Sequence, residues 1–131
     1  MSDIEEARAF FINDRYAMVT TGIEIVDVKP QYARCQLKID DRHRNAIGQV
    51  MGGVHTVLAD FVFAVATNFR QPPTVTVSTT INYISAVKGD TLYAESKLIK
   101  DGKKLCFYEI NITDNLGNDI ALVTINGMHL Q

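Results

Sequence analysis

The chain of 131 residues is poor in cysteine and has no long apolar run, and both shortages narrow what it can be. Its two cysteines, Cys35 and Cys106, lie in alternating apolar segments, where a free thiol behaves as a small hydrophobic side chain. No CxxC or HExxH spacing is present, so we expect neither a disulfide nor a metal site. The longest apolar stretch, residues 61–66, is far shorter than the ~20 residues of a membrane-spanning helix.

The sequence also lacks an excess of charge of either sign. Its 13 basic and 15 acidic residues give a formal charge of −2, and the two signs are interspersed. There is therefore no electrostatic footprint for nucleic acid or anionic lipid. The first ten residues are too acidic and too little apolar for a signal peptide. We expect a soluble, cytoplasmic protein that binds neither nucleic acid nor membranes.

The length and composition are typical of one globular domain, which we assign to residues 1–131. Ser2 as a helix cap, early glutamates and apolar residues at helical spacing predict a short amphipathic helix over residues 2–13. Residues 23–30 and 32–40 alternate between apolar and polar side chains, which predicts two strands with a turn near Pro30 and Gln31. A loop rich in glycine, asparagine and charge follows them, up to Gly53.

The second half of the chain predicts the architecture. Residues 54–69 are apolar nearly all round, which is typical of a helix buried on most sides. Four strand-like segments then follow, at residues 74–87, 91–100, 104–114 and 118–130. Short turns join antiparallel neighbours, so we expect these four strands to form a meander in chain order. The predicted fold class is α+β, with an antiparallel sheet wrapped around one long buried helix.

Residues 45–60, which read NAIGQVMGGVHTVLAD, resemble a known signature. It is the Asn-x-x-Gly-x-x-His-Gly-Gly…Leu-Ala-Asp pattern of hot-dog-fold acyl-CoA thioesterases of the phenylacetate-degradation type. The likeness covers about residues 22–128 and departs from the family at Met51, where the family usually has His. His55 lies further along the helix and is a poor replacement by position. The resemblance implies a hot-dog fold, hydrolysis of an acyl-CoA without a cofactor, and a homodimer or dimer of dimers (homotetramer).

Two of the matching positions suggest chemistry of their own. Gly52 stands where the first N–H groups of the buried helix have no internal partner, so its N–H could hold the oxyanion of a thioester. Alternatively, the glycine pair only lets the chain turn into the helix. Asp60 is a carboxylate in an apolar helix and must be paired, solvated in a cleft, or raised in pKa. In the family that it resembles, the equivalent of Asp60 is the catalytic carboxylate, which acts as a general base or as a nucleophile. Alternatively, Asp60 is a structural residue that accepts hydrogen bonds from a hydroxyl or from backbone N–H groups.

The spacing of these two residues constrains the site. Eight residues of helix separate Gly52 from Asp60, which is ~12 Å, whereas a reacting carbonyl needs both groups about 3 Å away. One helix cannot supply both groups, so we expect Gly52 of one chain to act with Asp60 of another across a two-fold axis. The seam would be lined by Gly53, Thr56, Asp60, Phe63 and Thr67.

The remaining site residues follow from the resemblance alone. Asn45 matches a position that orients water or the thioester carbonyl, and Ser78 matches a hydroxyl near the carboxylate; a loop cap and an ordinary strand residue are the respective alternatives. As substrate-binding residues we add Gly53, Thr56, Phe63, Tyr83 and Lys103, the last for the phosphates of CoA. Two other functions stay open: an acyl-CoA-binding protein without turnover, which the Met51 departure favours, and an acyl-thioester hydratase or dehydratase.

Overall fold

The computed structural model describes residues 1–130 and consists of two helices and six strands. The helices are α1 (Asp3–Phe11) and α2 (Gly52–Asn68). The strands are β1 (Glu24–Lys29), β2 (Tyr32–Lys38), β3 (Thr74–Tyr83), β4 (Thr91–Asp101), β5 (Leu105–Asp114) and β6 (Asp119–His129). A π-helical turn at Tyr16–Thr21 and a 3-10 turn at Asp41–His43 complete the list.

All six strands form one antiparallel sheet in the order β1-β2-β4-β5-β6-β3. Helix α2 packs on one face of this sheet and contacts every strand. The α+β class and the sheet around a central helix are therefore confirmed. Both cysteines are buried free thiols, and burial raises the pKa of Cys35, as expected for a small core side chain.

The expected four-strand meander is wrong at its first strand. Only β4, β5 and β6 follow one another as neighbours, whereas β3 lies at the edge of the sheet beside β6. The connection after β3 crosses the end of the sheet: the N–H groups of Ile84 and Ser85 donate to the carbonyl of Ile120 at the start of β6. Residues 84–90 are long enough to pass β6 and β5 before β4 begins. The connection is therefore a crossover, although its last residues look like a hairpin turn.

The depth at which α2 sits on the sheet depends on one glycine. Gly127 in β6 faces the ring of Phe63, and a Cβ at that position would lie 2.4 Å from Phe63 Cζ and 2.9 Å from the Val75 carbonyl oxygen. Phe63 is 1% exposed and packs edge-on against Tyr108 of β5. Any side chain larger than hydrogen at Gly127 would therefore force Phe63 or the backbone of β3 to shift.

The two edges of the sheet differ in their cover. Helix α1 begins with the predicted cap at Ser2, in a capping box with Glu5, and packs beside β1. From α1, Arg8 donates two hydrogen bonds to the carbonyl of Ile25 in β1, at 2.8 and 3.1 Å. Within residues 1–130, by contrast, nothing pairs with the outer edge of β3, whose residues after Thr74 are nearly all exposed. A strand of this length with a free edge is a natural site of pairing with another chain.

Among the helices of residues 1–130, none combines the length and the apolar character that crossing a bilayer requires.

A buried carboxylate holds the crossover in place. Asp114, 3% exposed at the end of β5, accepts hydrogen bonds at 3.0–3.2 Å from both loops beside it. The donors are the N–H groups of Lys88, Gly89, Leu116 and Asn118 and the side-chain amide of Asn118. Burial opposes the charge of Asp114, but these hydrogen bonds outweigh it and hold the pKa of the carboxyl well below its usual range.

We expect Asp114→Asn to lower the free energy of unfolding by about 1–3 kcal/mol at neutral pH, because an amide cannot accept all five hydrogen bonds. Since the folded pKa of Asp114 is depressed, its contribution is present above the unfolded value of about 3.9 and is lost as pH falls. The difference between the proteins in urea unfolding should therefore shrink on acidification. The exposed Asp119→Asn is the control, and equal stability of Asp114→Asn and the unaltered chain would contradict the assignment.

Candidate active site

The site begins at the loop that enters α2. Asn45 folds this loop upon itself, since its side-chain oxygen accepts from the N–H groups of Ile47 and Gln49 at 3.1 and 3.0 Å. These are the contacts of the alternative in which Asn45 caps its own loop. A role for Asn45 in orienting water or a carbonyl remains a prediction, and it would depend on the amide nitrogen.

Gly52 is the first residue of α2 and follows Met51, whose backbone is extended and whose side chain makes no capping hydrogen bond. Gly52 does not have a positive φ, so the turn itself does not require glycine here. The space does matter: a Cβ would lie 3.1 Å from the hydroxyl and 3.3 Å from the ring of Tyr83. Tyr83 also donates its hydroxyl to the Gly52 carbonyl at 3.2 Å.

A cleft of about 440 Å³ opens beside Gly52. It is lined by Gln49, Val50, Gly52, His55, Tyr83 and residues 84–87. His55 is 5% exposed, and its Nδ1 lies 3.3 Å from the Met51 carbonyl oxygen. Burial lowers the pKa of His55, against the opposing effect of its backbone hydrogen bonds, so the ring is neutral at neutral pH.

Asp60 lies two turns further along α2 and is exposed at the surface of the single chain. Of the possibilities that the sequence left open for this carboxylate, the single chain has the one in which it is solvated in a groove, because the helix turns this position away from the sheet. One carboxylate oxygen accepts the hydroxyl of Thr76 at 2.9 Å. The other oxygen has no hydrogen-bond partner within residues 1–130 and is open to the solvent.

A groove of about 390 Å³ runs past Asp60 between α2 and the segment that follows α1. Its walls are mostly apolar and include Tyr16, Val57 and Phe61, and a second carboxylate, Asp14, lies beside Asp60. Burial and the charge of Asp60 raise the pKa of Asp14. An adjoining groove of about 290 Å³ continues past Val57 to Gly53 and Met51. One face of α2 thus carries two adjoining grooves, which share Tyr16 and Val57 as lining residues.

The seam expected along α2 is only partly at the surface. Thr56 and Asp60 line the groove, and Gly53 lines its continuation. Phe63 and Thr67 are each 1% exposed and lie in the core, because the helix turns them toward the sheet. This corrects the expectation for Phe63 as a surface residue of the seam. Val57 and Ala64 extend the exposed face instead.

Two other candidates lie away from Asp60 in the chain. The expected hydroxyl near Asp60 is not that of Ser78, which accepts a hydrogen bond from the side-chain amide of Asn126 at 3.1 Å. The hydroxyl that contacts Asp60 is that of Thr76. A bulge between Thr76 and Ser78 separates these two residues of β3. Lys103 is exposed in the turn between β4 and β5, where it lines a cleft of about 310 Å³ together with His129.

Over residues 1–130, no group of three or more His, Cys, Asp or Glu side chains is arranged to hold a metal ion.

Comparison with known proteins places this geometry in a family. Residues 47–121, from the loop before α2 to the start of β6, match the thioesterase superfamily. The chain belongs to that superfamily. The resemblance drawn from residues 45–60 and the expected hot-dog fold are thereby confirmed. The matching region contains both Gly52 and Asp60.

Relatives in the thioesterase superfamily cover most of the chain. Human acyl-coenzyme A thioesterase 13 is 32% identical over 102 residues, 76% of this chain and 73% of its own length. The acyl-coenzyme A thioesterase PaaI of Escherichia coli is 29% identical over 119 residues, 90% of this chain and 84% of its own. The structure of the E. coli PaaI protein from the phenylacetic acid degradation operon superposes with a TM-score of 0.89 at 25% identity. That superposition covers 99% of this chain and 97% of the other.

Sequence reasoning missed the residues that surround Asp60. Thr76 sits among several hydroxyl residues of β3, and only the register of the bulged strand selects it. Asp14 and Tyr16 come from the segment after α1, whose position over α2 leaves no periodic signal in the sequence. The sequence did place Tyr83 at the site, although its contact with Gly52 depends on β3 lying at the edge of the sheet.

Proposed function

We propose that this chain hydrolyses the thioester bond of an acyl-CoA to a free acid and CoA. The observation that carries the proposal is the exposed carboxylate of Asp60, set in a largely apolar groove on the same helix whose first residue, Gly52, lines a second cleft. The human and E. coli relatives are named acyl-coenzyme A thioesterases, which supports the same substrate class.

In the proposed reaction, Asp60 acts as a general base. Its free oxygen takes a proton from water, whose oxygen attacks the thioester carbonyl. The negative charge that develops on the carbonyl oxygen is held by the N–H of Gly52, at the positive end of the α2 dipole. Collapse of the tetrahedral intermediate breaks the carbon–sulfur bond, and the proton held by Asp60 passes to the leaving thiolate. A nucleophilic role for Asp60 would give the same products through an anhydride.

The site is proposed to lie between two copies of the chain. Gly52 and Asp60 line different clefts of one chain, in keeping with the ~12 Å of helix between them. The long free edge of β3 and the exposed side chains Val75, Val77 and Tyr83 on it support self-association at this edge. A two-fold axis there would bring Gly52 of one protomer toward Asp60 of its partner and create two equivalent sites.

The supporting residues have proposed roles around these two. Thr76 orients the Asp60 carboxylate by its hydrogen bond. Asn45 and Ser78 stay candidates for orienting water or the thioester carbonyl, and Gly53, Thr56 and Tyr83 line the clefts through which substrate would enter. Lys103 remains a candidate for the phosphates of CoA.

We expect Asp60→Asn to keep the fold, because the amide oxygen can still accept from Thr76, and to lower kcat by ~100-fold or more through loss of the base. Release of free thiol from a panel of acyl-CoAs, with thermal melting as the control for folding, measures both effects. Acyl-CoA binding without thiol release by the unaltered protein would support the non-catalytic alternative. Full activity of Asp60→Asn would remove Asp60 from the mechanism.

We expect Gly52→Ala to lower kcat by at least about tenfold with a smaller change in KM, because it disturbs a donor used mainly in the transition state. The new Cβ presses on the Tyr83 ring, so part of the effect is steric. The double variant Gly52→Ala with Tyr83→Phe removes the nearest contacting atom and serves as the matched control. A melting temperature that falls while kinetics stay unchanged would reduce Gly52 to a packing role.

The two-chain site is tested with mixed dimers. Co-expression with two tags gives a heterodimer of one Asp60→Asn chain and one Gly52→Ala chain. If each site combines Gly52 and Asp60 from different chains, one site carries both lesions and the other carries none. The heterodimer should then recover about half of the unaltered activity per dimer, although both parental homodimers are impaired. A folded heterodimer without recovery, or a strictly monomeric active protein, would refute the arrangement.

A further inference from the structure

His55 is the one histidine that borders the Gly52 cleft, and it is available for a ligand. Its Nδ1 lies 3.3 Å from the Met51 carbonyl oxygen, which can only accept, so Nδ1 carries the proton. In the neutral ring, Nε2 is then a hydrogen-bond acceptor. Within residues 1–130, Nε2 has no hydrogen-bond partner, whereas every fully buried side-chain nitrogen or oxygen has one. Nε2 is therefore not fully buried and is open to the cleft that His55 lines.

The ring is held in one orientation on three sides. His55 is 5% exposed, its Nδ1 contacts the Met51 carbonyl at the start of α2, and its ring stands at 80° to the Tyr83 ring with 5.5 Å between centroids. Tyr83 is in turn fixed to the Gly52 carbonyl. Nε2 is therefore an acceptor in a fixed position at the cleft, where a donor on a ligand can replace water.

The position of His55 indicates which donor that is. Side chains of a helix point back toward its start, and residues three apart lie about 5–6 Å from each other. His55 therefore reaches toward Gly52, whose N–H would hold the thioester carbonyl. In an acyl-CoA, the nearest hydrogen-bond donor to the thioester is the amide N–H of the pantetheine arm, an ethylene bridge away from the sulfur.

We propose that Nε2 of His55 accepts a hydrogen bond from this pantetheine amide, so that the chain selects thioesters of pantetheine-type thiols over simple thioesters. The proposal rests on the proposed function and deepens it by assigning a binding residue for the thiol part of the substrate. The chain departs from its family at Met51, and His55 lies one helical turn after that position. The proposal gives His55 a function there.

The test compares two substrates that differ only at the amide. One is an acyl thioester of N-acetylcysteamine; the other is the same acyl thioester of 2-acetoxyethanethiol, in which an ester oxygen replaces the amide N–H. The acyl group is the one that the unaltered protein releases fastest from its CoA ester. We expect kcat/KM to favour the amide substrate about five- to tenfold, the size of one such hydrogen bond.

The variants are His55→Leu, His55→Phe and His55→Gln, each checked by thermal melting. Leucine and phenylalanine should abolish the preference, and phenylalanine also keeps a planar ring against Tyr83. Glutamine, which offers an acceptor oxygen, should retain part of it. If His55 only packs, its replacement lowers kcat/KM for both substrates equally. An unchanged preference for the amide substrate in folded His55→Leu or His55→Phe therefore overturns the proposal.

A failure of the proposed function gives a different result. If the unaltered protein hydrolyses no thioester, calorimetry with pantetheine decides instead: binding about five- to tenfold weaker in the leucine and phenylalanine variants supports the assignment of His55. Equal binding by all the folded variants overturns it. If hydrolysis is present and is lost in Asp60→Asn, but the amide preference does not depend on His55, only the present inference falls.

Discussion

The close contact between Phe63 and Gly127 fixes where α2 lies on the sheet, and both clefts depend on that position. Since β6 carries no side chain at this point, the helix can approach until Phe63 touches the backbone of the sheet. The remaining buried residues of α2, such as Leu58 and Val62, pack around this contact. A helix held at this depth turns its start toward Tyr83 and its middle toward Thr76, and so determines where Gly52 and Asp60 point.

A single helix thus presents two chemically different surfaces. Its first turn offers backbone N–H groups beside a neutral, buried imidazole, whereas its middle offers a carboxylate in an apolar groove. In the proposed reaction, the start of α2 would hold the developing oxyanion, and the middle of the same helix would take the proton from water. Because an α-helix is rigid, these groups cannot move together within one chain, and symmetry between chains is the economical way to combine them.

The sequence predicted those parts of the structure that depend on local pattern. The capping box of Ser2, the alternation around Cys35 and the apolar helix with its central carboxylate all follow from the periodicity of neighbouring residues. The exposure of Asp60, the burial of Phe63 and the contact from Thr76 did not follow. They depend on the rotation of α2 against the sheet and on a strand bulge, and both are tertiary features.

The placement of β3 at the edge also has a consequence for the order of folding. Strands β4, β5 and β6 can form hairpins as they emerge, but Tyr83 pairs with Ala121 and Thr74 with His129. During synthesis, β3 therefore has no strand to pair with until β6 has left the ribosome, whereas α2 can already pack on β1 and β2. Contacts between such distant segments slow folding and lengthen the time in which apolar surface can aggregate. The sheet can thus be completed only after its last-made strand, β6, is available to β3.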